Sequence, residues 1–140
     1  MMAPLDEVPT EHGDLYVAGA CNIGSAEAAT RRMLGISAAC VTLVLGIALL
    51  ALGAPPAWLL LTAVPASATA IGLLQARSRF CVGYAVAGMS NFGDSRADAV
   101  TSTDSAERAA DRVRARQLTR RSMALGLLTG ALFVVLAAIL

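Results

Sequence analysis

Cys21 and Cys81 carry the most reactive side chains in a chain that offers little else for chemistry. A cysteine acts as a nucleophile through its thiolate, which neighbouring arginines favour. Arg31, Arg77 and Arg79 lie near these cysteines in sequence. Brought together, the two thiols could form a regulatory disulfide or carry a persulfide. The competing reading makes Cys81 a small apolar packing residue and Cys21 incidental. That reading is favoured, because cytosolic thiols are normally kept reduced. Cys40 sits among Ala38, Ala39 and Val41 and reads as a packing residue. With 3 cysteines in all, a fully paired disulfide framework is excluded. Two or three cysteines without histidine or acidic company fall short of a four-ligand zinc site, so neither metal nor cofactor is expected. His12, the single histidine, stands in a polar stretch and reads as a solvated side chain. No nucleophile–base triad, carboxylate pair or phosphate-binding loop is present, which favours a non-enzymatic protein.

A second pattern carries charge. Arg108, Arg112, Arg116 and Arg120 recur at every fourth position. On a helix they form one column, where like charges repel, so an anionic surface is expected to face them. Anionic lipid headgroups fit best, at about 1 kcal/mol per arginine near the surface. An acidic partner protein is the alternative. Nucleic acid is not expected, since the segment lacks stacking aromatics.

The elements that position these residues belong to a membrane. Between Arg32 and Arg77 there is no charged residue and no histidine, and the run is broken only by Gly53-Ala54-Pro55-Pro56. A soluble helix pair would need a wet face. Each half instead has about 20 apolar residues, the length that crosses a bilayer core of about 30 Å. The spacing predicts spans over 33–52 and 57–75, with Gly53 stopping the first. Trp58 is placed as an interfacial aromatic. Pro65 is expected to kink the second span, with Thr62 or Ser67 satisfying the freed backbone group.

Residues 122–140 form a third apolar stretch of spanning length, which contains Gly126 and Gly130 at the spacing that lets helices approach closely. Ala66 with Ala70, and Ala68 with Gly72, repeat that spacing in the second span. Together they suggest helix packing and self-association. The fold class expected is therefore an all-α membrane protein: a helical hairpin plus a long amphipathic-to-transmembrane helix at the end of the chain.

Four regions follow. Residues 1–20 are acidic, punctuated by Pro and Gly, and read as a disordered cytoplasmic tail. They have no basic stretch leading into an apolar one, so a cleavable signal peptide is not expected. Residues 21–93 form the hairpin and a glycine-rich interfacial turn over 80–93. Residues 94–103 read as a polar linker. Residues 104–140 are a basic juxtamembrane helix continuing into the third span. Ser25 is expected to cap the first helix, and Asp104 with Glu107 to open the last as a capping box. Asn22 and Asn91, each close to a glycine, suit turns and caps.

Arg31, Arg32, Arg77, Arg79 and the 108–121 cluster all fall on one side of a three-span arrangement, and the 53–57 loop has none. The positive-inside rule then puts the N-terminus in the cytoplasm and Leu140 outside.

Asn22-Ile23-Gly24-Ser25, followed by Glu27, Arg31, Leu34 and Gly35, resembles the opening of the YgaP-type membrane domain, N-[VI]-G-x-x-[DE]-x-x-x-R-x-x-x-G. Phe80, Cys81, Tyr84, Gly88 and, after a one-residue insertion, Asn91 resemble its second motif, F-C-P-L-Y-x-x-x-G-I-N. That family is a two-helix module of bacterial inner membranes, found alone or after a rhodanese domain. Its helices are associated with dimerisation in the rhodanese-linked members. The resemblance covers 21–93. Val82 replaces the motif proline, the family's last cysteine is missing, and the third helix is an addition. No rhodanese loop begins at either Cys21 or Cys81.

The resemblance implies a small multi-pass inner-membrane protein. The residues favour a self-associating interaction or accessory module, partnered by anionic lipid and by itself or another membrane protein. The alternative is a sulfur- or redox-handling protein that uses Cys21 and Cys81. A solute channel, with Thr62, Ser67, Thr69 and Gln75 facing a lumen, is a weaker third reading.

Overall fold

A computed structural model describes residues 15–140. His12 and most of the expected tail lie outside them. Helix α1 covers Ser25–Ala51. It ends in a Schellman motif: Gly53 N–H donates to the Leu50 carbonyl and Ala54 N–H to the Leu49 carbonyl, both at 3.0 Å. Gly53 reaches φ +60°, which its missing side chain allows.

The return span, Pro56–Ser78, is assembled from three pieces. Helix α2 covers Pro56–Leu59, a 3₁₀ turn covers Leu60–Thr62, and α3 covers Ala63–Ser78. Pro65 explains the break. Its ring cannot share space with the carbonyl four residues back, at Leu61, so the helix tightens there. The expected hydroxyls act differently from expectation. Thr62 Oγ1 donates to the Leu59 carbonyl at 2.6 Å and Ser67 Oγ to the Ala63 carbonyl at 2.8 Å. Each helps a neighbouring turn rather than the group that Pro65 frees.

Helix α5 covers Ser105–Ile139 without interruption. At 1.5 Å per residue its 35 residues reach about 52 Å, so one rod holds both the arginine column and the third span. Asp104 caps it, accepting from the Ala106 N–H at 2.7 Å. Glu107 does not close a capping box. Its carboxylate accepts from the Ser102 hydroxyl at 2.7 Å. Nor does Ser25 cap α1: the N-cap is Gly24, with no side-chain bond.

Three helices long and apolar enough to cross a bilayer make this an all-α membrane protein. Val44, Ile47, Val64, Leu127 and Leu128 are exposed along them, as side chains that face lipid must be. Helix α3 lies between α1 and α5. It meets α1 at Gly72 and Gly35, where a Cβ on Gly72 would come within 2.8 Å of Gly35 Cα. It meets α5 at Gly126, where a Cβ would collide with the Ser67 hydroxyl, and at Gly130, where one would lie 3.1 Å from Ala63 Cβ. The small residues thus close seams within one chain.

The short helix α4, Val82–Ala87, packs on α5 through Phe80, Ala85, Ala115 and Leu118. Residues 94–103 are more than a linker. Val100–Thr101 pairs antiparallel with Met89–Ser90, around a 3₁₀ turn at Arg96–Asp98 that Ser95 and Asp98 cap reciprocally. Residues 15–20 are likewise ordered. The Tyr16 hydroxyl donates to Asp111 Oδ2 at 2.9 Å and Gly19 N–H to Asp111 Oδ1 at 2.7 Å, which straps the segment onto α5.

Candidate functional site: a polar knot at the arginine-bearing end of the bundle

Arg79 ends α3 in the left-handed conformation, φ 49° and ψ 40°. An arginine there gives up about 1–2 kcal/mol of backbone preference. The bend turns its carbonyl outward, where it accepts from both Asn22 N–H and Ile23 N–H, at 3.1 and 3.2 Å. The start of α1 is thereby fastened to the end of α3. Asn22 completes the join. Its Oδ1 accepts from Cys81 N–H at 2.6 Å, and its Nδ2 donates to the Cys81 carbonyl at 3.0 Å. One buried side chain therefore satisfies both backbone groups of a residue 59 positions away. Gln75 adds another tie, its Oε1 accepting from Val82 N–H at 2.9 Å.

Asn91 holds the following loop to the same point. Its N–H donates to the Asn22 carbonyl at 2.9 Å, and its carbonyl accepts from Gly24 N–H at 2.8 Å. Gly24 needs its missing side chain, since a Cβ would lie 3.0 Å from the Phe92 carbonyl oxygen. Asn91 Nδ2 donates to the Tyr84 hydroxyl at 3.3 Å and to the Ser95 carbonyl at 2.9 Å.

The ionisable groups sit one layer in. The Tyr84 hydroxyl donates to Glu27 Oε1 at 3.1 Å. Arg31 Nη2 lies 3.3 Å from Glu27 Oε2 and donates to Cys81 Sγ at 3.2 Å. Glu27 occupies the first turn of α1, where the helix dipole favours an anion. The Glu27–Arg31 contact is an ion pair without well-aligned hydrogen bonding, for Glu27 Oε2 and Arg31 Nε are both buried and lack a hydrogen-bond partner.

Cys81 is 3% exposed and packs against Ile23, Ala28 and Tyr84. Cys21 is half-buried, and its Sγ contacts the Ile23 carbonyl at 3.8 Å. Both cysteines lie at the same end of the bundle but their sulfurs meet different partners, and all three cysteines are free. Cys40 is exposed on α1. Among the described residues no group of three or more His, Cys, Asp or Glu could hold a metal ion.

Residues proposed for a lumen are engaged within the chain. Thr62, Ser67 and Thr69 each donate to a backbone carbonyl of their own span, and Gln75 serves Val82. The arginine column divides. Arg112, Arg116 and Arg120 are exposed, whereas Arg108 turns back to the Thr103 and Asp104 carbonyls, both at 3.4 Å.

The Tyr84–Glu27–Arg31–Cys81 chain of contacts was not legible as such in the sequence. The signal present was the coincidence of two half-motifs: Asn22, Gly24, Glu27 and Arg31 from the first meet Cys81, Tyr84 and Asn91 from the second. Comparisons with protein-family models, with curated proteins and with solved structures return no match for this chain.

Proposed function

We propose that this chain is a non-enzymatic accessory module of a bacterial inner membrane, associating with a second copy of itself through its spans. The observation that carries this reading is the engagement of the knot. The thiol at its centre, Cys81, is shielded from water and gripped through both backbone groups by Asn22. The polar residues there tie the start of α1 to the end of α3 and to the loop that follows it. Arginine placement supports an orientation with the knot in the cytoplasm and Leu140 outside.

A surface suited to a second copy lies within the spans. Ala39, Thr42, Ala66, Thr69, Ala70 and Thr129 line a furrow of about 300 Å³ between α1, α3 and α5, flanked by the exposed Leu43 and Leu125. Thr42, Thr69 and Thr129 donate to carbonyls of their own helices, which leaves the furrow neutral, with small residues along its floor and Leu43 and Leu125 able to pack on a neighbouring helix. Cross-linking in native membranes should give a dimer-sized band that survives Cys81→Ala and falls several-fold in Ala70→Leu. A chain that stays monomeric under cross-linking overturns the reading.

The contact between Arg31 and Cys81 favours a second reading, a sulfur-handling thiol, since a neighbouring cation is the arrangement reactive thiols use. It predicts persulfide or disulfide on Cys81 in cells, detectable by mass spectrometry of the intact chain. A Cys81 that resists alkylation until the protein is unfolded excludes it.

A further inference from the structure

Between α4 and the first half of α5 lies a groove of about 340 Å³. Val82, Val86 and Ala115 give it an apolar floor, and Arg112, Arg116 and Arg120 line it from α5. We propose that this groove binds one anionic phospholipid, with Arg116 and Arg120 on the phosphate and the apolar floor against the glycerol-ester end of the lipid.

Charge is the first argument. Three guanidinium groups one helical turn apart repel one another, and something anionic must offset them. The acids on the same helix are turned elsewhere: Asp111 accepts from Tyr16 and Gly19, and Glu107 from Ser102. Arg108 contacts backbone carbonyls and its side chain lies against Gly88, so the site holds three of the four arginines in the column.

Depth is the second. The apolar run of α5 begins at Ser122, two residues past Arg120. Four residues advance about 6 Å along a helix. The headgroup layer is about 5–7 Å thick on each side of the hydrocarbon core. Counted from Ser122, Arg120 therefore lies about 3 Å out, inside that layer, Arg116 about 9 Å out, just beyond it and within reach through its long side chain, and Arg112 about 15 Å out, on the water side. The third argument is the floor. A free phosphate would gain nothing from Val82, Val86 and Ala115, whereas a phospholipid uses the arginines and the floor together.

Diffuse attraction to a negative surface would not distinguish these arginines from Arg32 and Arg77, which are exposed at the same end of the bundle. The test uses that difference. The full-length chain in detergent is titrated with phosphatidylglycerol, phosphatidylcholine or inorganic phosphate and followed by native mass spectrometry. One phosphatidylglycerol should bind per chain, and Arg116→Gln with Arg120→Gln should weaken it by about 30-fold, the sum of two surface arginines. Arg32→Gln with Arg77→Gln removes the same charge and should leave that affinity within about twofold, because neither side chain reaches the groove. All four positions are exposed, and an unchanged unfolding temperature checks that the variants fold. Equal loss in the two double variants, equal retention of phosphatidylcholine, or displacement of the lipid by millimolar phosphate each overturns the proposal. So does a benzophenone cross-linker at Val86 that captures protein instead of phospholipid.

Discussion

Two residues decide whether the ends of the hairpin stay joined. Asn22 satisfies the Cys81 N–H and carbonyl together, in a place with no access to water. Asn22→Ala orphans both, at about 1–3 kcal/mol per group. A correspondingly earlier transition is expected in detergent unfolding, with Cys81 alkylated faster as the join opens. Arg79 is the opposite case. It holds a left-handed conformation in which glycine carries no penalty, so Arg79→Gly should raise stability by up to about 1 kcal/mol, the strain relieved less the chain entropy that glycine adds. An unchanged or lower unfolding temperature would mean that the Arg79 side chain contributes something its backbone conformation conceals. The sequence marks Asn22 as a residue that bonds backbone, because an asparagine close to a glycine, here Gly24, suits turns and caps. It could not reveal that the backbone in question is 59 residues away. Nothing in the residue types around Arg79 marks a left-handed position, since glycine or asparagine is the usual occupant.

At the scale of elements, the third span is fastened by what it lacks. Gly126 lets α5 come so close to α3 that any side chain there would meet Ser67 and the Ala63 backbone. Gly126→Leu should therefore separate α3 from α5 within a single chain, at a cost of about 1–3 kcal/mol. A disulfide engineered across that seam, Gly130→Cys with Ala63→Cys, should form readily in the otherwise native chain and poorly with Gly126→Leu added. Efficient bridging in both backgrounds would contradict the observed seam. The spacing of Gly126 and Gly130 correctly announces a close helix contact. It says nothing of whether the partner lies in the same chain, because small-residue faces look alike in either setting. Spans were legible because the absence of charge between Arg32 and Arg77 is a property of solvent, independent of partner. Residues 94–103 were harder. Their two-residue strands are too short to show alternation, and they pair only because α4 carries Met89 back to meet Thr101.

The whole molecule is closed by a contact that a linear reading separates by most of its length. Tyr16 and Gly19 both bond the two carboxylate oxygens of Asp111, which is almost fully buried on α5. The strap fixes residues 15–21 and the basic half of α5 at the same end, which requires the N-terminal segment and the arginine column to share one side of the membrane. Composition pointed to a disordered tail because residues 1–20 lack apolar periodicity. The order of residues 15–20 comes instead from one distant acid, which no local pattern encodes.

The strap has a pH signature. Burial, and then the hydrogen bond to Asp111, hold the Tyr16 phenol protonated well above its ordinary range. A group whose folded value is raised contributes stability that is fully present below its unfolded value, near 10 for tyrosine, and that is lost as pH rises through the folded one. Docking should thus be constant across neutral pH and weaken only above about 10. A fluorophore on Ala18→Cys, in a chain whose native cysteines have been replaced by alanine, reads this as an anisotropy that stays high from neutral pH to about 10 and falls only above it. Tyr16→Phe should lower the anisotropy across the neutral plateau, since Asp111 loses one of its two donors, and should remove the fall at high pH. Release of the strap between pH 6 and 8 would instead assign its control to a group other than Tyr16.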